Sequence, residues 1–314
     1  METPHRAAWM ADGSYGIMVH YLIGPPGETH AKRTAAFSQT VSRFDLDTFV
    51  EQFASTGADW LIFTIGQNTG YYCSPNRYLD RLLPGHTPDR DLMLEIAVRV
   101  KALEKRVIAY LPSEVWGQSE AVQEAFAWAP ADQIEFQRRY CEFIRQYALK
   151  LGRMVDGWWF DGCYDWPHFN NSLYDWPRWF AAARAGNPDA VVAFNDGAFC
   201  INKVKPVTPL EDYHAGEVHM LVDGKIKLGH EPDSPLYLPE AQYIDGVQWH
   251  ALVPVNSTFE GGEPYHYSDE ELISFLKACK SVRGAVTLNL PLGQDGLVPA
   301  DSLAQMQRLG QALR

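Results

Sequence analysis

Short apolar runs that read as buried strands alternate with amphipathic stretches of helical period along most of the 314 residues, and that alternation leaves few folds open. The strand-like segments are residues 15–22, 60–65, 106–111, 157–160, 190–194, 246–255 and 285–290. The helix-like ones are 44–55, 93–105, 131–151, 173–185, 269–282 and 299–313; in the first, Phe44, Phe49, Val50 and Phe53 share one apolar side. Residues 198–245 are rich in Pro and Gly, and one short strand at 213–219 is needed there to complete the count. No internal repeat or linker divides the chain. The pattern predicts an α/β protein, a single (β/α)8 TIM-like barrel spanning 1–314 as one catalytic domain; an open, doubly wound sheet is the structural alternative.

A barrel places polar residues that follow its strands on one rim. In chain order those residues are His20, Gln67 with Asn68, Ser113 with Glu114, Asp161, Asn195 with Asp196, Glu217, Trp249 and Asn289. The most pointed of them is Asp161, because Gly157-Trp158-Trp159-Phe160 is an apolar run that ends abruptly in one carboxylate and Gly162. A lone Asp at a strand's C-terminal end beside flat rings is a common way to present a catalytic group to a sugar. Each residue alone has a plainer reading: Asp161 as a helix cap, His20 as a satisfied core histidine, Asn195-Asp196-Gly197 as a turn. A face serving stability alone has little need of so many polar groups together.

Composition limits the partners. Lys and Arg total 27 against 39 Asp and Glu, a net charge of −12, which disfavours nucleic acid, anionic membranes and polyanionic substrates. Ten Trp and fifteen Tyr suit surfaces that grip sugars or other polar, partly apolar ligands. The five cysteines, Cys73, Cys141, Cys163, Cys200 and Cys279, are scattered and odd in number, so reduced, buried thiols are expected rather than disulfides or a zinc cluster. The first nine residues lack an apolar signal core and no apolar run is long enough to span a membrane, so a soluble, cytoplasmic protein is expected.

Four stretches, Tyr15-Gly16-Ile17-Met18-Val19-His20, residues 57–64 (GADWLIFT), Trp159-Phe160-Asp161-Gly162 and residues 288–296 (LNLPLGQDG), resemble in order the signatures of glycoside hydrolase family 29, the α-L-fucosidases. The resemblance runs from about Trp9 to Leu313. It implies retaining hydrolysis on a barrel, with Asp161 as nucleophile and Trp159 lining the sugar pocket. Asn195-Asp196 resembles the family's pair on the next strand, and Asp212-Tyr213-His214-Ala215-Gly216-Glu217 is similar to the stretch that carries the acid/base glutamate in some members. Glu217 is therefore the acid/base candidate, with Glu114, Glu260 and Glu263 in reserve. His20, Gln67, Asn68, Tyr72, Glu114, Trp116, Trp159, Asn195, Asp196, His214 and Trp249 are the expected substrate contacts. No cofactor or metal is implied.

Two departures stand out. Where the family carries adjacent histidines after its second strand, this chain has Gln67-Asn68, whose hydrogen bonding differs from that of imidazole and puts the sugar specificity in question. The sequence also stops at Arg314, so a barrel lacking the family's C-terminal β-sandwich is expected, with loops or a second copy in a homo-oligomer closing the pocket. Retention needs an ionised carboxylate facing a protonated one at roughly 5–5.5 Å, whereas inversion needs a wider gap. A carbohydrate-binding barrel without catalysis has no use for that spacing. A third reading, a metal site of Asp212, His214 and His219, follows no familiar ligand pattern.

Overall fold

Residues 5–164, 170–197, 205–259 and 262–314 are described by the computed structural model. Its principal strands are β1 (Gly16–Val19), β2 (Trp60–Thr64), β3 (Arg106–Pro112), β4 (Gly157–Asp161) and β5 (Val191–Phe194). Three short strands, β6 (Leu221–Val222), β7 (Lys225–Lys227) and β8 (Leu236–Tyr237), form an antiparallel sheet of their own, and β9 (Tyr243–Ile244) pairs with β10 (Val247–Gln248). Then come β11 (His250–Pro254) and β12 (Ala285–Leu290). Seven strands make one parallel sheet in the order β11-β12-β1-β2-β3-β4-β5.

The gap between β5 and β11 is filled by residues 212–218. Asp212 N–H donates to Val192 O at 3.0 Å and Val218 N–H to Leu252 O at 3.0 Å, and Tyr213 and Glu217 make parallel bridges to Gln248 and Leu252. The sheet thereby closes as a (β/α)8 TIM-like barrel. The expected strand at 213–219 is present only as these bridges, for two physical reasons. Asp212 Oδ2, a side-chain atom, accepts from Val192 N–H where a strand would offer a carbonyl. Gly216 has φ +71°, and a Cβ there would lie 2.1 Å from His250 O, so the backbone leaves the pleat to pass close to β11.

The helices are α1 (Ala8–Asp12), α2 (His30–Ser42), α3 (Leu46–Thr56), α4 (Arg77–Leu82), α5 (Leu92–Ala102), α6 (Glu120–Phe126), α7 (Ile134–Leu151), α8 (Trp176–Ala183), α9 (Asp269–Ser281) and α10 (Ala300–Ala312). Asp45, Asp91, Asp175 and Ser268 cap α3, α5, α8 and α9 by accepting from the N–H three residues on, an arrangement each stabilising by about 1 kcal/mol. Capping by Asp175 starts α8 three residues later than the sequence pattern implies and puts Pro177 in its first turn, where the missing N–H costs nothing. The expected strand 246–255 is broken at Trp249, whose N–H turns to Gln242 O.

Two hydrophobic clusters follow from strand alternation. Met18, Trp60, Ile62, Ile108, Tyr110, Trp159, Ala193, Tyr213 and Leu252 fill the barrel interior, with Ala7 and Met10 of the α1 region packed against them. Ile17, Val19, Leu61, Phe63, Val107, Trp158, Phe160 and Val192 belong to the larger cluster shared with the helices. Cys73, Cys141, Cys163 and Cys279 are buried free thiols, and Cys200 lies outside the described residues. Among the described residues, no helix is long and apolar enough to cross a membrane.

Candidate active site

β4 sends Trp158 and Phe160 to the helix-facing core and Trp159 to the interior, so Asp161, on the parity of Trp159, ends the strand at the inner rim. Register supports the carboxylate from below: Tyr110 of β3 lies opposite Trp159, and their rings stack at 5.1 Å and 16°. The Tyr110 hydroxyl reaches upward to donate to Asp161 Oδ2 at 2.5 Å. Burial, then the nearby Asp161 charge, pushes the Tyr110 phenol well above its ordinary value, so it remains a proton-bearing donor.

Three more donors complete the shell. Gln67 Nε2 donates to Asp161 Oδ2 at 2.9 Å, while Oδ1 accepts from Tyr164 OH at 2.7 Å and Asn195 Nδ2 at 2.8 Å. Each carboxylate oxygen thus holds two hydrogen bonds. The Asn195 amide is oriented by Gly197 N–H, which donates to its Oδ1 at 3.1 Å. That fixes Nδ2 toward the carboxylates, and the same Nδ2 also donates to Glu217 Oε2. Two oxygens bonded to one nitrogen lie no more than about 6 Å apart.

Above this pair opens a cavity of about 580 Å³, lined by both carboxylates, by His20, Gln67, Asn68 and Trp159, and by the apolar Leu252, Phe259, Leu290 and Leu292. His20 Nδ1 meets Asn289 Oδ1 at 2.8 Å, and Asn289 in turn donates through Nδ2 to Ser257 Oγ at 3.0 Å. This chain assigns the proton of His20 to Nδ1 and leaves Nε2 as an acceptor. Burial lowers the pKa of His20, opposed by the Asn289 bond and the Asp161 charge, which favours the neutral ring.

Of the expected contacts, His20, Gln67, Asn68 and Trp159 line the cavity and Asn195 lies beneath it, joining the carboxylates. Others stand elsewhere. Tyr72 is fully buried outside the barrel against Phe143, its phenol pushed up to about 12 by burial. Trp249 sits before β11, at the opposite end from the rim, beside Tyr237 and Gly284. His214 is buried at the level of Gln248 and His250, below the rim. Asp196 is felt electrostatically by Glu211 and Cys163 rather than lining the cavity. Trp116 is about half exposed on the loop after β3, away from the cavity lining. Glu114 is buried beside Gly162, its Oε2 accepting from Trp116 N–H; burial, against that bond, raises its carboxyl to about 7. Glu263 is exposed, and Glu260 lies outside the described residues. Tyr110 and Tyr164, which both donate to Asp161, are not among the contacts expected from the sequence.

A second cavity of about 580 Å³ lies at the opposite end of the barrel, lined by Arg6, Lys101, Arg106, Arg153, Asp156 and Asp189 among others. Its charges are paired: Lys101 and Arg106 to Asp156, Arg153 to Asp189, and Arg6 to Asp212. That end of a barrel reads as stability. Asp212 is further held by Arg184 at 2.6 Å, remote from His219, which packs on His230 and Tyr265. Among the described residues, no group of three or more His, Cys, Asp or Glu is arranged to hold a metal ion.

No family model and no curated protein matches the chain. Solved structures do. An endo-fucoidan hydrolase of glycoside hydrolase family 107 superposes with a TM-score of 0.67 at 14% identity, covering 99% of this chain and 94% of its own. The α-L-fucosidase isoenzyme 1 from Paenibacillus thiaminolyticus gives 0.67 at 16% identity over 98% of this chain and 75% of its own. A family 29 α-L-fucosidase from Bacteroides thetaiotaomicron gives 0.66 at 13% identity, covering 100% and 74%. The chain therefore has the fold common to catalytic domains of families 29 and 107, and the likeness is not specific to family 29.

Proposed function

We propose that this chain is a retaining glycoside hydrolase acting on a terminal α-L-fucoside or a closely related sugar, with residues 1–314 serving as one cytoplasmic catalytic barrel. One observation carries the reading: Asn195 Nδ2 hydrogen-bonds both Asp161 and Glu217 at the floor of a cavity, and two carboxyls that share one donor favour the shorter, retaining separation over the wider inverting one. The fold shared with fucose-acting hydrolases supports the substrate class. So does the presence of Leu252, Phe259, Leu290 and Leu292 in the cavity lining, apolar side chains that suit the methyl group of a 6-deoxysugar.

In this mechanism an Asp161 oxygen attacks the anomeric carbon as the bond to the leaving oxygen breaks, and Glu217 gives that oxygen its proton. Glu217 then takes a proton from water, whose oxygen displaces Asp161 and restores the free enzyme. In this reading Trp159, His20 and Asn68, all in the cavity lining, meet the sugar, Trp159 with its flat ring and His20 Nε2 and the Asn68 side chain by bonding hydroxyls.

One observation favours the alternative of a binding barrel without catalysis: all the acceptor sites of Asp161 are taken by protein donors. Hydrolysis of a panel of aryl glycosides that includes the α-L-fucoside separates the two. The hydrolase reading requires turnover by the chain and its loss in Asp161→Asn; binding without turnover across the panel supports the alternative.

A further inference from the structure

His20, Asn289 and Ser257 come from three neighbouring strands of the barrel, following β1, within β12 and following β11, and all three line the cavity. Register sets Met18 of β1 opposite Asn289, which brings the amide beside the imidazole two residues on. The rings of Tyr110 and Phe259 make T-shaped contacts with His20 at 5.4 and 5.9 Å and hold its plane. Nδ1 is engaged by Asn289, whereas Nε2 makes no hydrogen bond to a described residue and is not sealed from solvent. Nε2 is the nitrogen left for a sugar.

The direction of the protons along this row is set at its far end. Ser257 Oγ lies 3.0 Å from the backbone oxygen of Asn289, an atom that can only accept, so the single hydroxyl proton of Ser257 goes there. That oxygen is held in place by Val255 N–H, which donates to it at 2.9 Å. Having given its proton, Oγ can only accept from the Asn289 side chain, at 3.0 Å, which turns Nδ2 toward Ser257 and Oδ1 toward His20. Nδ1 must then carry the imidazole proton. The opposite direction would point the Ser257 hydroxyl at Oδ1 and leave Oγ facing the Asn289 carbonyl at 3.0 Å, two acceptors with no proton between them.

We infer that Ser257 is a positioning residue which, through Asn289, makes His20 Nε2 a pure acceptor and so selects a sugar bearing a free hydroxyl at that point. Resting on the hydrolase reading, this narrows the substrate to a glycoside whose oxygen facing His20 is unsubstituted. A hydroxyl there gives its proton to Nε2. A fluorine, ether or ester at the same place has none to give, and its lone pairs face that of the imidazole. A site built around a donated hydroxyl turns such analogues away.

Nitrogen-15 NMR of the full chain, histidine-labelled and at mildly alkaline pH, reads the tautomer without any need for activity, with His20→Gln assigning the signal. In the parent, Nδ1 should be the protonated nitrogen and Nε2 the bare one. Ser257→Ala, which frees the amide to turn, should bring in the Nε2–H form to at least about a tenth of the population, and Ser257→Thr, which keeps the hydroxyl, should restore the parent signal. A parent His20 protonated on Nε2, or a folded Ser257→Ala with no Nε2–H form, overturns the inference. Competitive inhibition of aryl α-L-fucoside hydrolysis by L-fucose and its 2-, 3- and 4-deoxyfluoro analogues, which keep the size and lose one proton each, reads the selection. The parent should bind one analogue about tenfold or more weaker than L-fucose, and Ser257→Ala should narrow that gap by roughly 2- to 10-fold. Equal gaps in both proteins for every analogue would contradict the selection. A chain that turns over no glycoside fails at the hydrolase reading, while the nitrogen spectra still decide the role of Ser257.

Discussion

Asp161 and Glu217 are joined through a single atom, Nδ2 of Asn195, which donates to Asp161 Oδ1 at 2.8 Å and also to Glu217 Oε2. One carboxylate ends β4 and the other belongs to the irregular segment that closes the barrel, so the amide sets a distance that neither element sets alone. Because Gly197 N–H fixes the amide's orientation, the wrong end of Asn195 cannot face the pair.

Asn195→Ala should therefore cost roughly 100-fold in kcat, as for loss of other preorganised donors. Asn195→Asp should be worse, since it sets a third carboxylate between two. Steady-state kinetics with circular dichroism to confirm folding checks both; activity within threefold of the parent for Asn195→Ala would mean that the bridge does not matter.

Glu217→Gln removes the proton donor and keeps the shape. Hydrolysis of a glycoside with a poor leaving group should fall by about 100- to 10,000-fold, while a nitrophenyl glycoside, whose leaving oxygen needs little protonation, should suffer much less at the bond-breaking step. An equal loss across leaving groups would move the acid role elsewhere, with Glu114 the first candidate.

Glu114 gives a stability prediction with a definite sign. Burial raises its folded-state pKa from 4.5 to about 7, so the folded chain binds this proton more tightly than the unfolded chain does. Its stabilising contribution is complete below about 4.5 and is lost as the pH rises to about 7. Glu114→Gln, which can still accept from Trp116 N–H, should be nearly neutral at acid pH and stabilise the protein above neutrality by at most ~3 kcal/mol. Thermal melts of both proteins at acid and alkaline pH read the difference, and equal melting shifts at both would contradict it.

Barrel closure has its own test. Asp212 is buried, takes Arg6 at 2.8 Å and Arg184 at 2.6 Å, and accepts from Val192 N–H in place of a strand partner. Asp212→Ala leaves Arg184 without that partner and should destabilise by roughly 3–5 kcal/mol. Denaturant unfolding measures it; a loss under 1 kcal/mol would show that the 212–218 segment closes the barrel without this anchor.

The fold was readable where a period lasts long enough to repeat. Strand and helix segments read between Trp60 and Phe194 fall within a few residues of β2 to β5, α5, α7 and α8, with the Asp175 cap setting the offset at α8, whereas the short helices α4 and α6 were not read. The closing segment was only guessed at, because an Asp side chain and Gly216 replace the regular ladder there and leave no alternation to see. In the candidate site, residues that directly follow strands, such as His20, Gln67, Asn68 and Asp161, could be placed on the rim by position alone. Tyr72, His214 and Trp249 could not, because an aromatic ring or imidazole looks the same in a sequence whether it faces a cavity or a core. Tyr110 was legible in principle: it shares the inward parity of Trp159, and only the strand register reveals that its hydroxyl meets Asp161. Tyr164 carried no periodic signal.

Covalent trapping tests the central claim most directly. The chain is incubated with an activated 2-deoxy-2-fluoro-L-fucosyl donor, then digested and mapped by mass spectrometry. The account predicts one fluorosugar ester on Asp161, in the peptide containing Gly157 to Gly162, and none in Asp161→Ala. A label on another residue, or turnover of the aryl α-L-fucoside by Asp161→Ala at close to the parent rate, would contradict it.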